Sequence, residues 1–240
     1  FATGLQIVDV GEPAHPVVIS SYDMPGSEVS VEIVGSIAYV GAWGSGLHIL
    51  DVSDPTSPAL LGSYLAPGRI YWATVIGGVA YVPNGEYGLQ LLDVHDPTAP
   101  TLLGNYDTPG EAVEVEVAGN LAYVTDYERG LHILDVRDPT NPSLLGSIET
   151  PGHAIGIALS GTVAYIADWE GGLQVVDVSN PASPELLAAF DTPGNAHGIE
   201  VAGARAYVGD YEAGLQIVEI AQNRFDLARN TARSLAVDDG

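Results

Sequence analysis

Apolar runs of five to seven residues follow one another along most of the chain, each cut off by Gly, Pro, Asn or Asp. One stretch shows the form. Ala112 to Val117 is followed by the turn Ala118-Gly119-Asn120, Leu121 to Thr125 by Asp126 to Gly130, Leu131 to Val136 by Arg137 to Pro142, and Ser143 to Glu149 by Thr150-Pro151-Gly152. Runs of this length, rich in Val, Ile, Leu and Tyr and bounded by turn residues, predict β-strands. A helix needs a longer uninterrupted segment with a 3.6-residue period, and none occurs before residue 225.

The whole pattern repeats. Gly-Leu-(Gln/His)-apolar-apolar-(Asp/Glu) begins at Gly4, Gly46, Gly88, Gly130, Gly172 and Gly214, a spacing of 42 residues with no insertion. Pro-Gly keeps the same period from Pro25 to Pro193, and Ala-Tyr-(Val/Ile) keeps it at Tyr39, Tyr81, Tyr123, Tyr165 and Tyr207. Within each unit the second and third strands are apolar on both alternating faces, so the sheet they form is covered on both sides. Four-stranded sheets covered on both faces at a fixed repeat pack face to face around an axis. The expected fold is all-β, a β-propeller of four-stranded blades.

The core motif, Leu5-Gln6-Ile7-Val8-Asp9 and Leu173-Gln174-Val175-Val176-Asp177, with the Asp-Pro turn and the Pro-Gly that accompany it, resembles the LVIVD-repeat family of bacterial and archaeal propellers over residues 1 to about 220. The resemblance implies an exported or surface protein and transfers no catalytic residue. The Gly-His and Trp-Asp marks of WD40 repeats and the kelch pattern are absent from the sequence.

The repeat register also predicts how the ends meet. The chain enters at a third strand (Leu5 to Val10) and a fourth (Val17 to Tyr22), and runs through blades at 27–68, 69–110, 111–152 and 153–194. It ends with first, second and third strands at 195–220. The N- and C-terminal strands are expected to pair in one blade, which gives five blades, a closed ring and no free edge. One third strand, Leu5 to Val10 or Leu215 to Ile220, is then in surplus. Six blades is the second reading. A third is an open ring joined head to tail to another copy, a homo-oligomer or filament of self-assembling structural subunits. The propeller occupies 1–222. Residues 223–240 leave the repeat, and Leu227, Thr231, Ser234 and Leu235 on one helical face predict a short helix or a tail.

Composition narrows the function. The 240 residues carry 31 Asp+Glu against 7 Lys+Arg, a formal charge of −24, and all seven cations are Arg. Phosphate contacts need clustered Lys and Arg, so nucleic-acid binding is excluded, as is docking on an anionic membrane. No stretch reaches the ~18 apolar residues of a spanning helix, so direct membrane insertion is not expected. The absence of Cys removes thiolate chemistry. The start at Phe1, without Met, basic region or apolar run, reads as a processed protein or one whose leader is not shown, and favours an extracellular, cell-surface or periplasmic location.

Candidate chemistry lies where the copies differ. After each Pro-Gly the residues are individual: Ser27-Glu28-Val29-Ser30, Arg69-Ile70-Tyr71-Trp72, Glu111-Ala112-Val113-Glu114, His153-Ala154-Ile155-Gly156 and Asn195-Ala196-His197-Gly198. Divergence inside a rigid template suits one asymmetric ligand site walled by Glu28, Arg69, Tyr71, Trp72, Glu111, His153 and His197, or neutral drift of exposed turns. Tyr71 and Trp72, one residue apart, should point to opposite faces.

The loop from second to third strand carries Asp126-Tyr127-Glu128, Asp168-Trp169-Glu170 and Asp210-Tyr211-Glu212. The rings of Tyr127, Trp169 and Tyr211 could stack on a sugar, and the acids Asp126, Glu128, Asp168, Glu170, Asp210 and Glu212 could recruit Ca²⁺. The structural alternative is an Asp that bonds its own turn. Glu32, Glu116 and Glu200 share one position of the strand expected to line the axis, where facing carboxylates raise one another's pKa or simply meet channel water. His48 and His132 stand where other copies have Gln, as a shared hydrogen bond requires.

Signatures of catalysis (His-Glu-x-x-His, Gly-x-Ser-x-Gly, a Walker loop) are missing from the sequence. The expectation is therefore a non-catalytic module binding a protein or glycan at the cell surface, with no required cofactor unless Ca²⁺ binds. The alternatives are a lectin-like carbohydrate-binding propeller and a cation-dependent glycan-active enzyme.

Overall fold

The computed structural model describes residues 4–220, with the side chains of Glu28 and Val29 outside the description. The helix or tail expected at 223–240 also lies outside the described residues. Every regular element among the described residues is a strand.

The strands form six antiparallel sheets in chain order. The first has two strands, β1 (Leu5–Asp9) and β2 (Val17–Tyr22). Four sheets of four strands follow. They are β3 to β6 (Ser27–Val34, Ile37–Trp43, Gly46–Asp51, Ala59–Tyr64), β7 to β10 (Thr74–Ile76, Val79–Pro83, Leu89–Asp93, Thr101–Tyr106), β11 to β14 (Ala112–Ala118, Leu121–Asp126, Gly130–Asp135, Ser143–Ile148) and β15 to β18 (Gly156–Ser160, Val163–Ala167, Leu173–Asp177, Glu185–Phe190). The last has three, β19 (Ala196–Ala202), β20 (Arg205–Asp210) and β21 (Gly214–Glu219). Each full sheet is a meander, because short turns let neighbouring strands pair locally.

The apolar character of both faces has the expected outcome. Tyr81, Leu89 and Leu91 of one sheet pack on Ala112, Val115, Ala122, Val124 and Leu134 of the next. Tyr123, Leu131 and Ile133 repeat the layer one blade on, against Ala154, Ile157, Ala164, Ile166 and Val176. The core is thus a series of layers between sheets, each removing large side chains such as Leu131 and Ile166 wholly from water. Fourth strands bulge beside the third, as between Ile133 and Leu134, and this brings Gly62, Gly104 and Gly146 against the Pro turn of the following blade. Those turns hold themselves: Asp54, Asp96 and Asp138 accept the amide and hydroxyl of Thr56, Thr98 and Thr140, which lowers each carboxyl's pKa.

The ends differ from expectation. Among the described residues β1 and β2 share no sheet with β19 to β21, so the expected pairing of terminal strands is not made in this structure. The reason is local. β1 and β21 are both third strands, and only one can pair with β20; β21, joined to β20 through residues 211–213, forms its hairpin at far lower loop-closure cost than a strand at the other end of the chain. As a result Leu215 is 62% and Ile217 53% exposed, where the equivalent Leu173 and Val175 are 1% and 3%.

Candidate functional site

Antiparallel pairing puts the second-to-third loops and the Pro-Gly entry turns on one rim, and the Asp-Pro turns on the opposite one. On the first rim the Asp-x-Glu loops act as clamps. Asp126 accepts the amide of Gly110 from the preceding entry turn (2.8 Å) and those of Glu128 and Arg129 (3.0 Å each), while Glu128 accepts the amide of Glu111 (2.9 Å). Asp210 and Glu212 do the same for Gly194 and Asn195. Asp168 accepts Gly152 N and the Thr150 hydroxyl, and Glu170 pairs with His153. Only Gly fits the entry turn, since a Cβ at Gly110 or Gly194 would lie 2.2 or 2.1 Å from the clamping carboxylate. Burial pushes the Asp126 and Asp168 carboxyls up against the lowering effect of these amides.

Of the six acids that could recruit Ca²⁺, Asp126, Glu128, Asp210 and Glu212 thus accept backbone amides, Asp168 a backbone amide and the Thr150 hydroxyl, and Glu170 faces the His153 ring. Two results follow. Asp126→Ala, which takes the carboxylate from the amides of Gly110 and Glu128 while Arg129 N keeps the Asp126 carbonyl, should cost about 2 kcal/mol and lower Tm by roughly 5 °C. Millimolar Ca²⁺ should leave the Tm of the wild type unchanged, and a rise of several degrees would restore the calcium reading.

Aromatic rings line the seams between blades. The loop ring of one sheet sits against the entry turn of the next: Trp43 edge-on to Tyr71 (5.3 Å between centroids), Tyr127 stacked on His153 (4.2 Å) and Trp169 edge-on to His197 (5.9 Å), with Tyr211 5.9 Å from Trp169. Trp169 takes a left-handed backbone (φ 47°), the conformation that Gly85 adopts at the same repeat position, and the amide and carbonyl of each bridge to Ala196 and Ala112 respectively.

At the seam where that loop residue is Gly85, polar groups gather instead. The Tyr71 hydroxyl donates to Glu111 across it (3.1 Å), and at the preceding seam the Arg69 guanidinium lies 6.0 Å from the centre of the Trp43 ring. Arg69 is held charged first by Tyr71, then by Glu111 and Glu86. Of the predicted wall, then, Arg69, Tyr71 and Glu111 form one constellation, and His153 and His197 continue the rim through separate contacts. Tyr71 and Trp72 precede β7 (Thr74–Ile76) and lie outside any strand, so the alternation expected of a first strand does not apply to them; Trp72 lines a cavity with Gly4, Leu5, Gln6, Ser30, Val31 and Val40. Glu28 is placed only by its backbone, paired with Ala42. Sequence reading missed Trp43 and Glu86 as members, although Trp43 occupies the repeat position of Tyr127, Trp169 and Tyr211.

Nearer the axis, Glu32, Glu116 and Glu200 do converge. Burial, then Glu200 and Glu32, raise the pKa of Glu116. Glu114 is driven up to about 8, first by burial and then by Glu116. In four copies the Gln/His position is a brace: Gln174 and Gln216 donate to the carbonyls of Gly171 and Ala213 in their own loops, Asn84 donates to Gln90, and a His48 ring nitrogen lies 2.9 Å from the Ser45 hydroxyl; His132 departs from the expected shared bond, its buried ring nitrogens making no hydrogen bond and the nearer lying 3.6 Å from the Asp126 carboxylate.

The description LVIVD repeat matches residues 1–24, 25–66, 73–108, 109–150, 151–192 and 193–223. No curated protein matches the chain. Among solved structures, the β-propeller domain of Myceliophteria thermophila Cps50 (Swd1) is similar with a TM-score of 0.72 at 12% identity, over 92% of this chain and 78% of that one. A functionally unknown protein from Desulfotomaculum acetoxidans DSM 771 gives 0.69 at 13%, over 84% and 72%. The computationally designed Ika8 protein gives 0.70 at 10%, over 85% of this chain; the chain spans 62% of its length. At such identities the likeness carries the fold alone, and that fold is a β-propeller.

Proposed function

The chain belongs to the LVIVD-repeat family, and from that premise we propose that it is a non-catalytic interaction module, exported or displayed at the cell surface, whose ligand is an acidic glycan bound at the Arg69 seam. The observation that carries this reading is the constellation of Arg69, Tyr71, Trp43 and Glu111 on the rim. On a molecule of charge −24 an anionic ligand is repelled by the general field, so a guanidinium able to form a two-pronged bond to carboxylate or sulfate is the feature that can select one. Trp43 and Tyr71 add ring faces for the apolar side of a sugar, and Glu111 accepts its hydroxyls. Gly85, lacking a side chain where other copies carry a ring, leaves room above the seam.

The test is a calorimetric titration of sulfated and uronic-acid oligosaccharides into three proteins. Arg69→Ala should weaken binding at least tenfold relative to wild type. Arg137→Ala, whose guanidinium is tied to Asp135 on the opposite rim, should stay within twofold. Equal losses from the two substitutions would show that the face or the site is wrong.

A further inference from the structure

One blade departs from the way its sisters satisfy the polar residue of the third strand. His132 of β13, opposite Val124 of β12 and Ser147 of β14, is 4% exposed, yet neither ring nitrogen has a hydrogen-bond partner. A neutral imidazole carries one N–H and one lone pair, and burying both without partners costs stability. Gln174 and Gln216 at the same repeat position each bond a carbonyl of their own loop, and His48 lies against the Ser45 hydroxyl. What His132 has instead is a carboxylate. Its Nε2 lies 3.6 Å from Oδ2 of Asp126, too far for a hydrogen bond, and Asp126 is itself fully buried.

That oxygen is already engaged. Oδ2 accepts the Gly110 amide at 2.8 Å, while Oδ1 accepts those of Glu128 and Arg129. The entry turn held in this way leads into Glu111, whose amide is bound by Glu128 and whose carboxylate accepts the Tyr71 hydroxyl across the seam. A continuous line of contacts therefore runs from the interior to the rim, through Asp126, Gly110, Glu111 and Tyr71, with His132 at its inner end. Among the described residues Asp126 is the charged group that acts on His132. Around the same loop the other charges are paired at the surface, Arg129 with Glu149, and His153, stacked on Tyr127, with Glu170.

We propose that His132 is a proton-operated latch on the 109–111 turn and, through Glu111, on the Arg69 seam. In neutral solution the ring is uncharged, because burial holds its pKa down against the pull of Asp126. On acidification the ring nitrogen that held the lone pair takes a proton from solvent, forming one N–H bond and breaking none within the protein. Both nitrogens are then donors, and the imidazolium closes on Asp126 Oδ2 to a charge-assisted bond of about 2.8 Å. Oδ2 now serves two donors, Gly110 is held less firmly, and Glu111 is free to leave Tyr71. Acid thus loosens the seam and, on the reading that an acidic glycan binds there, releases the ligand. The sign follows from a depressed folded pKa: the stability owed to neutral His132 is fully present above pH 6.5 and is lost as pH falls through the folded value.

Gln6, Gln90, Gln174 and Gln216 show that Gln fits this position, and Gln takes up no proton, so His132→Gln removes the switch and keeps the blade. Heteronuclear NMR of wild type and His132→Gln, from about pH 7.5 to about pH 4.5, follows the amides of Gly110, Glu111 and Tyr71. In wild type all three should shift with a common midpoint below 6.5, the Gly110 proton moving upfield as its bond weakens; in His132→Gln this step should be absent. No step in wild type, or the same step in both proteins, as titration of His153 would produce, overturns the latch. A step at Gly110 with none at Tyr71 overturns its link to the seam. These amides are read without ligand, so they decide the latch even if no oligosaccharide binds, which would instead defeat the Arg69 reading. Where a uronic-acid oligosaccharide does bind, going from about pH 7 to about pH 5 should weaken wild type at least about fivefold more than His132→Gln, and equal losses overturn control of the ligand by His132.

Discussion

Replacing Gly88 by Ala is expected to lower Tm by roughly 10 °C, while Gly161→Ala lowers it by only a few degrees. Both glycines have left-handed backbones, φ +69° and +62°, so both substitutions carry the ~1 kcal/mol strain of an L side chain there. The difference is space. A Cβ at Gly88 would lie 2.1 Å from the Tyr106 carbonyl oxygen, and 2.7 Å from Thr108 N, so backbone itself has to move; at Gly161 nothing lies within 4 Å. Gly46 and Gly172 open their third strands in the same way, with the carbonyls of Tyr64 and Phe190 at 2.0 and 2.3 Å. A displaced third strand disturbs two layers of the core, and about 3 kcal/mol beyond the local strain is the expected scale. Differential scanning calorimetry decides it, and equal shifts for the two variants would contradict the close approach.

The second large effect is a dependence on pH. Glu114 has its pKa raised from 4.5 to about 8, first by burial and then by Glu116, with Glu200 adding to the rise and the Ile157 amide opposing it. Between those values the folded chain keeps a proton that the unfolded chain has released. The stability from this group is therefore fully present below pH 4.5, falls as pH rises towards 8 and levels off above it, by up to about 5 kcal/mol. Glu116 and Glu32 are raised too and slope in the same direction. Glu114→Gln isolates one contribution: its Tm should match wild type at about pH 4 and exceed it by roughly 10 °C at about pH 8. Parallel pH profiles for the two proteins would show that Glu114 is not buried as a neutral acid.

Most of the architecture was legible because the signals were periodic. A marker that recurs every 42 residues averages out local ambiguity, and strands apolar on both faces leave stacked sheets as the arrangement that buries them. The ends were not legible in the same way. The sequence shows two equivalent third strands, but which one pairs with β20 depends on the competition between a local hairpin and a distant strand, which near-identical residues cannot reveal. The site was legible by parts. Arg69, Tyr71 and Glu111 stood out by differing from their repeat mates, whereas Trp43 was passed over because its loop lacks the acids that drew attention to the others. The Asp-x-Glu loops read both as ligand chemistry and as turn chemistry, and their Asp carboxylates accept the amides of Gly110, Gly152 and Gly194. A carboxylate repeated in register beside an invariant Gly is the trace such a clamp leaves in a sequence.

Hydrogen exchange followed by mass spectrometry, with and without a sulfated oligosaccharide at millimolar concentration, tests the central claim most directly. If the Arg69 seam is the binding surface, slowed exchange should be confined to 42–46, 67–73, 84–88 and 109–113, with the Asp-Pro turns at 54–57, 96–99 and 138–141 unchanged. Protection of those turns instead, or none on either rim, would contradict it.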